Sequence, residues 1–238
     1  MLLRVVLIGS ENPLPVIDLK KHFFGDFCLG KSIKNIQKHR TPMKILVVDL
    51  ETTSHDPTID DMRNLENSII SEIGIVRLDL KTGKTEPVFD SVCREEKTCS
   101  AQSWIFENSS LTYEDVLSAD HFQVFKDELQ EIFDQDYATS WWQEYDFNRL
   151  EHPSRGISIQ YKFWDPAITL RNYLKIPFPD GTGFKRPKVD EAYRYFHPNG
   201  MSDHSHRALH DAQIEAQIIF SAVQKWPELK NNWADYIP

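Results

Sequence analysis

The first residues with the means to do chemistry are two acids placed two apart at the end of an apolar run. Asp49 and Glu51 follow Ile45-Leu46-Val47-Val48. In an extended strand such residues leave the same face, with Cα atoms ~6.5–7 Å apart. Two carboxylates set against a hydrophobic strand repel each other and lose hydration, a cost that a divalent cation removes. Oxygen ligands without a neighbouring thiolate suit Mg²⁺ or Mn²⁺ rather than zinc. Acids at strand ends also serve as solvated turn residues, and on this pair alone both readings stand. A second group lies near the far end, in His206-Arg207-Ala208-Leu209-His210-Asp211. Five residues of regular helix turn through about 500°, so His206 and Asp211 share a site only if His206 sits on the loop before the helix. Asp203 or Ser205 is then the candidate cap, with Asp211 projecting from the second turn. His204 and His210 flank His206 and complicate its assignment.

A third pattern points elsewhere. Gly25-Asp26-Phe27-Cys28-Leu29-Gly30-Lys31-Ser32 fits the phosphate-loop spacing, and Ile45 to Asp49 with Glu51 imitates an apolar strand ending in a magnesium acid, the arrangement of a P-loop nucleotide hydrolase. Its context is poor. Leu19 to Phe24 makes a weak preceding strand, Phe27 and Leu29 crowd a loop whose amides must curl around phosphates, and His206 and Asp211 stay unexplained.

The elements that must carry these residues alternate between the two periodicities. Ile45 to Val48, Ile69 to Leu80 and Pro87 to Cys93 read as strands, with Lys81-Thr82-Gly83-Lys84 as a hairpin turn. Phe122, Phe125, Leu129, Ile132 and Phe133 recur at helical spacing; Tyr137 to Trp142 reads as a strand, followed by a helical run from Phe147. Asp165-Pro166 starts a helix, and Pro187 to Phe196 and Arg207 to Trp226 complete the series. The expected class is α/β with a mixed sheet. Trp141 and Trp142 invite base stacking, but at alternating strand positions at least one ring must face the interior, and core packing is the preferred reading; Tyr193, Tyr195 and Phe196 read as core.

The chain has 238 residues, 36 acidic against 27 basic for a net charge of −9, and lacks any run approaching the ~18–20 apolar residues of a membrane span. That charge argues against coating nucleic acid by bulk electrostatics, so a nucleic-acid partner requires local positive charge or metal ions. Residues 1–42 hold seven Lys/Arg and three Asp/Glu, net +4, leaving −13 for the rest; they are expected to be a basic extension dispensable to a main domain over 43–238. Arg4 interrupts the opening apolar run and no small-residue cleavage site follows, which disfavours a secretory signal. Cys28, Cys93 and Cys99 suggest neither a disulfide framework nor a zinc knuckle, and a reducing, cytoplasmic setting is expected.

Taken together, Asp49-Leu50-Glu51-Thr52-Thr53, Tyr145-Asp146, and His206 with Asp211 beyond it resemble the three motifs of the DEDDh (DnaQ-like) 3′→5′ exonucleases. Ser103-Trp104-Ile105-Phe106 with Leu111-Thr112, and Pro187 to Tyr193, are similar to connecting segments of that family, and the resemblance runs from about Met43 to Val223. Around the second motif, Ser140-Trp141-Trp142-Gln143-Glu144-Tyr145-Asp146 lacks the glycine of many members, and Glu144 is the rival acid. The resemblance implies a ribonuclease H-like fold and release of nucleoside monophosphates from the 3′ end of single-stranded DNA or RNA. It assigns two divalent cations, Mg²⁺ or Mn²⁺, to Asp49, Glu51, Asp146 and Asp211, the general base to His206, and contact with the terminal nucleotide to Leu50, Thr52 and Thr53. An inert exonuclease-like binding module is the alternative within the same fold.

Overall fold

The computed structural model describes residues 44–59, 64–200 and 205–230. Residues 1–42, with the phosphate-loop pattern, and Asp203 and His204 lie outside them. The uninterrupted apolar run at 45–48 becomes the inner strand β1 (Lys44–Ser54), flanked on one side by β2 (Ser68–Asp79), which pairs outward with β3 (Thr85–Val92). Both pairings are antiparallel, and the Lys81–Lys84 turn closes the second hairpin as expected. On its other side β1 pairs in parallel with the short β4 (Tyr137–Thr139), giving a mixed sheet of order β3-β2-β1-β4.

Two helices unforeseen in the sequence, α1 (Trp104–Asn108) and α2 (Tyr113–Ser118), precede α3 (Phe122–Gln135). Each is too short for a periodic apolar stripe, although Thr112 and Asp115 form a capping box on α2. After β4 come α4 (Gln143–Leu150), α5 (Pro166–Leu174), α6 (Val189–Phe196) and α7 (Ala208–Lys225). The expected strand over Tyr137–Trp142 ends at Thr139, because Gln143 is turned into the first residue of α4: its amide donates to Asp165 and its side chain to Thr139 and the Phe163 carbonyl. The helix expected from Phe147 therefore starts four residues earlier.

Strand alternation sorts the core into two layers. Ile45 and Val47 face Ala167, Leu170, Ala192 and the Ala212–Ile219 side of α7, while Leu46, Val48 and Leu50 face Phe122, Leu129, Phe133, Phe147 and Leu150 from α3 and α4. Both sheet faces are thus covered, and β2 is buried almost throughout. Asp49 and Glu51 continue the odd-numbered set, on the side of α7. Trp141 belongs to the core, its indole N–H donating to the Pro187 carbonyl at 3.0 Å. Tyr195 departs from expectation: it is exposed, stacked against Trp226 with the Lys225 ammonium over its ring.

Candidate active site

Where β1 leaves its apolar run, three features bring α7 down onto it. Asp49 is paired with Gly74 and Glu51 with Glu72, and the register slips between Glu51 and Thr52, the local bulge that re-aims side chains at a strand end. Gly74 is there for space: a Cβ at this position would stand 2.1 Å from the Leu209 nitrogen and 2.2 Å from the Ala208 carbonyl carbon. Glu72, buried, takes the guanidinium of Arg207 on both oxygens at 2.6–3.1 Å and the Ala208 amide at 3.1 Å, fixing the first turn of α7.

His206 lies on the loop before α7, as the spacing requires, in a left-handed conformation with φ of 51°. Of the two expected caps, Asp203 lies outside the described residues and the Ser205 side chain turns elsewhere. Arg207 is the N-cap residue without a side-chain cap bond, while the Ser205 amide donates to Asp211 Oδ1 at 3.3 Å and its hydroxyl pairs with His210 at 2.9 Å. His210 thereby turns to Ser205 and lies 3.6 Å from Asp211, whereas His206 meets the ring of Trp104 edge-on, centroids 4.9 Å apart. Ligand atoms of Glu51, His206 and Asp211 all lie within 4.8 Å of one another.

The second motif arrives from α4. Of its two acids, Asp146 is buried and Glu144 exposed. Tyr145 is sandwiched between the Trp142 ring and the Arg149 guanidinium, which stands 3.4 Å from its centroid, and its hydroxyl meets that of Thr52 at 2.6 Å. Of the three residues expected against the terminal nucleotide, Leu50 and Thr53 are buried, Leu50 in the apolar layer beside Phe147, and Thr52 alone keeps a half-open side chain.

A fifth carboxylate escapes the sequence reading. Glu215, one turn beyond Asp211 on α7 and 1% exposed, accepts the Trp141 amide at 3.2 Å. Its i+4 spacing from Asp211 is a usable signal, since such positions share one helix face.

Crowding these acids raises their proton affinity. Burial, then the charges of Glu215, Glu51, Asp146 and Asp211, push Asp49 well above the usual carboxylate range. Burial and the neighbouring Asp211 lift Glu51 to about 9, burial lifts Asp146 to about 7 against the pull of Ser140 and Arg149, and burial lifts Asp211 to about 6. Glu215 is driven up by the same desolvation and by Asp146. His206 is shifted the other way, held below its ordinary value by burial with Asp190 partly opposing. Buried oxygen donors that raise one another's proton affinity, with an imidazole that burial keeps neutral, suit hard divalent cations.

Such a constellation, acids from the first strand, a middle helix and the last helix with a histidine beside them, defines a class of nucleases that cleave phosphodiesters from a chain end. The exonuclease family model (RNase_T) matches residues 46–219, and the chain belongs to that family, within the DEDDh, DnaQ-like superfamily of 3′→5′ exonucleases. A full-length 3′-exonuclease is similar at 18% identity and a TM-score of 0.59, over 77% of this chain and 61% of that one. The nuclease domain of 3′hExo, a DEDDh member bound to rAMP, is similar at 17% identity and a TM-score of 0.57, over 78% of this chain and 94% of that one. E. coli Exonuclease I in complex with a dA16 oligonucleotide gives 13% and 0.55, over 79% and 42% respectively. These likenesses establish the ribonuclease H-like fold. Curated protein sequences give no match. No helix among the described residues is long and apolar enough to cross a membrane.

Proposed function

We propose that the protein removes nucleoside monophosphates from the 3′ end of single-stranded DNA or RNA with the help of two divalent cations, Mg²⁺ or Mn²⁺, in a reducing, cytoplasmic setting. The observation that carries this reading is the convergence of Glu51, Asp211 and His206 within 4.8 Å, with Asp146 close enough to raise the proton affinity of both Asp49 and Glu51. Asp49, Glu51, Asp146 and Asp211 would hold the cations, which when bound supply positive charge to the scissile phosphate and the leaving 3′ oxygen. His206, neutral at pH 7, accepts the proton of the attacking water at an imidazole nitrogen. Its left-handed backbone and its perpendicular ring contact with Trp104 hold the imidazole toward Glu51 and Asp211. Trp104, 59% exposed, offers its open face to the terminal base, a task that the buried Trp141 cannot perform.

Incubating 5′-labelled single-stranded DNA and RNA with Mg²⁺ or Mn²⁺ tests the proposal, comparing the full chain with Asp49→Ala. A ladder shortening from the 3′ end in the wild type alone supports it. Binding without shortening at any metal concentration would instead favour an inert module.

A further inference from the structure

The chain beyond residue 42 carries a net charge of −13, yet residues 166–188 contain five Lys/Arg and a single acid. Four of those cations, Arg171, Lys175, Arg186 and Lys188, are exposed; the fifth, Lys185, is paired with Glu191. Beyond α5, residues 176–185 of this stretch fold into a small hairpin that leads to α6. The Phe178 amide donates to the Gly183 carbonyl and the Lys185 amide to the Ile176 carbonyl, both at 2.9 Å, with Pro177 bridged to Phe184. The tip is built rather than loose: Asp180 accepts the Thr182 amide at 3.0 Å and its hydroxyl at 2.8 Å, and Gly181 takes the left-handed φ of 71° that the turn requires. On this frame Phe178 and Phe184 stand 44% and 46% exposed.

We propose that this hairpin binds the single strand on the 5′ side of the terminal nucleotide, Phe178 and Phe184 stacking on bases while Lys175, Arg186 and Lys188 follow the phosphates. Aromatic rings interleaved with cations form a platform that holds single-stranded nucleic acid with little regard for sequence, and here they sit on an otherwise acidic protein. The hairpin's position supports the assignment. Pro187 accepts the Trp141 indole at 3.0 Å, the Trp141 amide donates to Glu215 one turn beyond Asp211, and Asp165, which burial holds above the usual carboxylate range with Arg186 opposing, accepts the amide of Gln143 at the start of the helix bearing Asp146. A strand with its 3′ end among the acids therefore leaves beside the hairpin. The direction of the strand rests on the nuclease reading; the binding does not.

Two double variants of the full chain test it, Phe178→Ser with Phe184→Ser and Arg186→Glu with Lys188→Glu. Binding of 5′-fluorescein dT20 and U20 by anisotropy should weaken about tenfold or more in each. The slope of log affinity against log salt should become shallower by about 1.4 in the charge variant alone, at ~0.7 for each of the two phosphates that is no longer neutralised. Where the wild type degrades DNA or RNA, kcat/KM should fall on 20-mers far more than on dinucleotides, which end before the hairpin. Wild-type affinity for dT20 and U20 in both variants, or equal losses on 20-mers and dinucleotides, would overturn the proposal. So would a wild type that binds an acidic peptide but neither oligonucleotide. A wild type that binds both oligonucleotides without degrading them refutes the nuclease reading and leaves this one standing.

Discussion

Stripped of divalent metal, the protein should lose stability as the pH rises through neutrality. Asp211, Asp146 and Glu51 are held at about 6, about 7 and about 9 in the fold, against ordinary values near 4. Between those limits the folded state binds protons that the unfolded chain has released, so stability is greatest at the acid end and falls as each folded value is passed. One group contributes ~1.4 kcal/mol per pH unit over its window, so Asp211, about two units wide, accounts for on the order of 3 kcal/mol. That is a large part of the ~5–15 kcal/mol that holds a domain together. Metal at a hundred times its dissociation constant returns ~2.7 kcal/mol, a rise of about 5–10 °C for a domain this size. Thermal unfolding from pH 4 to 9 in EDTA, and again with MgCl₂ or MnCl₂, reads the effect directly, Asp211 acting below pH 6 and Asp146 and Glu51 above it. The EDTA midpoint should fall with pH, the metal should restore it most at the alkaline end, and Asp211→Asn should flatten the EDTA curve. Parallel curves with and without metal, or an EDTA midpoint that climbs from pH 5 to 8, would refute the reasoning.

His206→Ala should lower kcat by roughly 10²–10⁴ while moving the unfolding midpoint little; undiminished turnover removes it as the base. Glu215 links α7 to the segment leading into α4 through the Trp141 amide, so Glu215→Leu should cost about tenfold in kcat, with Glu215→Gln, which keeps the acceptor, near wild type. The leucine variant also leaves the buried Trp141 amide without its acceptor and should unfold earlier by the equivalent of about 1–3 kcal/mol, whereas the glutamine variant should not; a lowered midpoint together with lost turnover in both variants would show that the amide contact is not what Glu215 supplies. Gly74→Ala drives a methyl into the backbone of α7 and should destabilise by about 1–3 kcal/mol with loss of activity; an unchanged denaturation midpoint would show that the helix can retreat.

What could be read from the sequence was what depends on neighbours along the chain. An apolar run ending in Asp49-Leu50-Glu51 dictates strand and face together, and the His206–Asp211 spacing forces the histidine onto a loop before its helix. Asp146 could not be separated from Glu144 that way, because the choice turns on where α4 begins, and that start is fixed by Asp165 and Phe163 about twenty residues on. Glu72 and Gly74 escaped notice for the same reason: one anchors α7 through Arg207, the other makes room for it, and both act across 135 residues or so of sequence. The end of β4 and the exposure of Tyr195 were likewise settled by packing against distant elements, which local propensity does not encode.

Anomalous diffraction from crystals of the full chain soaked in Mn²⁺ tests most directly whether the acids share ions. Two peaks are expected within coordination distance of the carboxylates of Asp49, Glu51, Asp146 and Asp211, with the His206 imidazole facing them. An empty cluster at saturating Mn²⁺, or manganese bound only elsewhere on the surface, would contradict the assignment of these residues to metal-dependent hydrolysis.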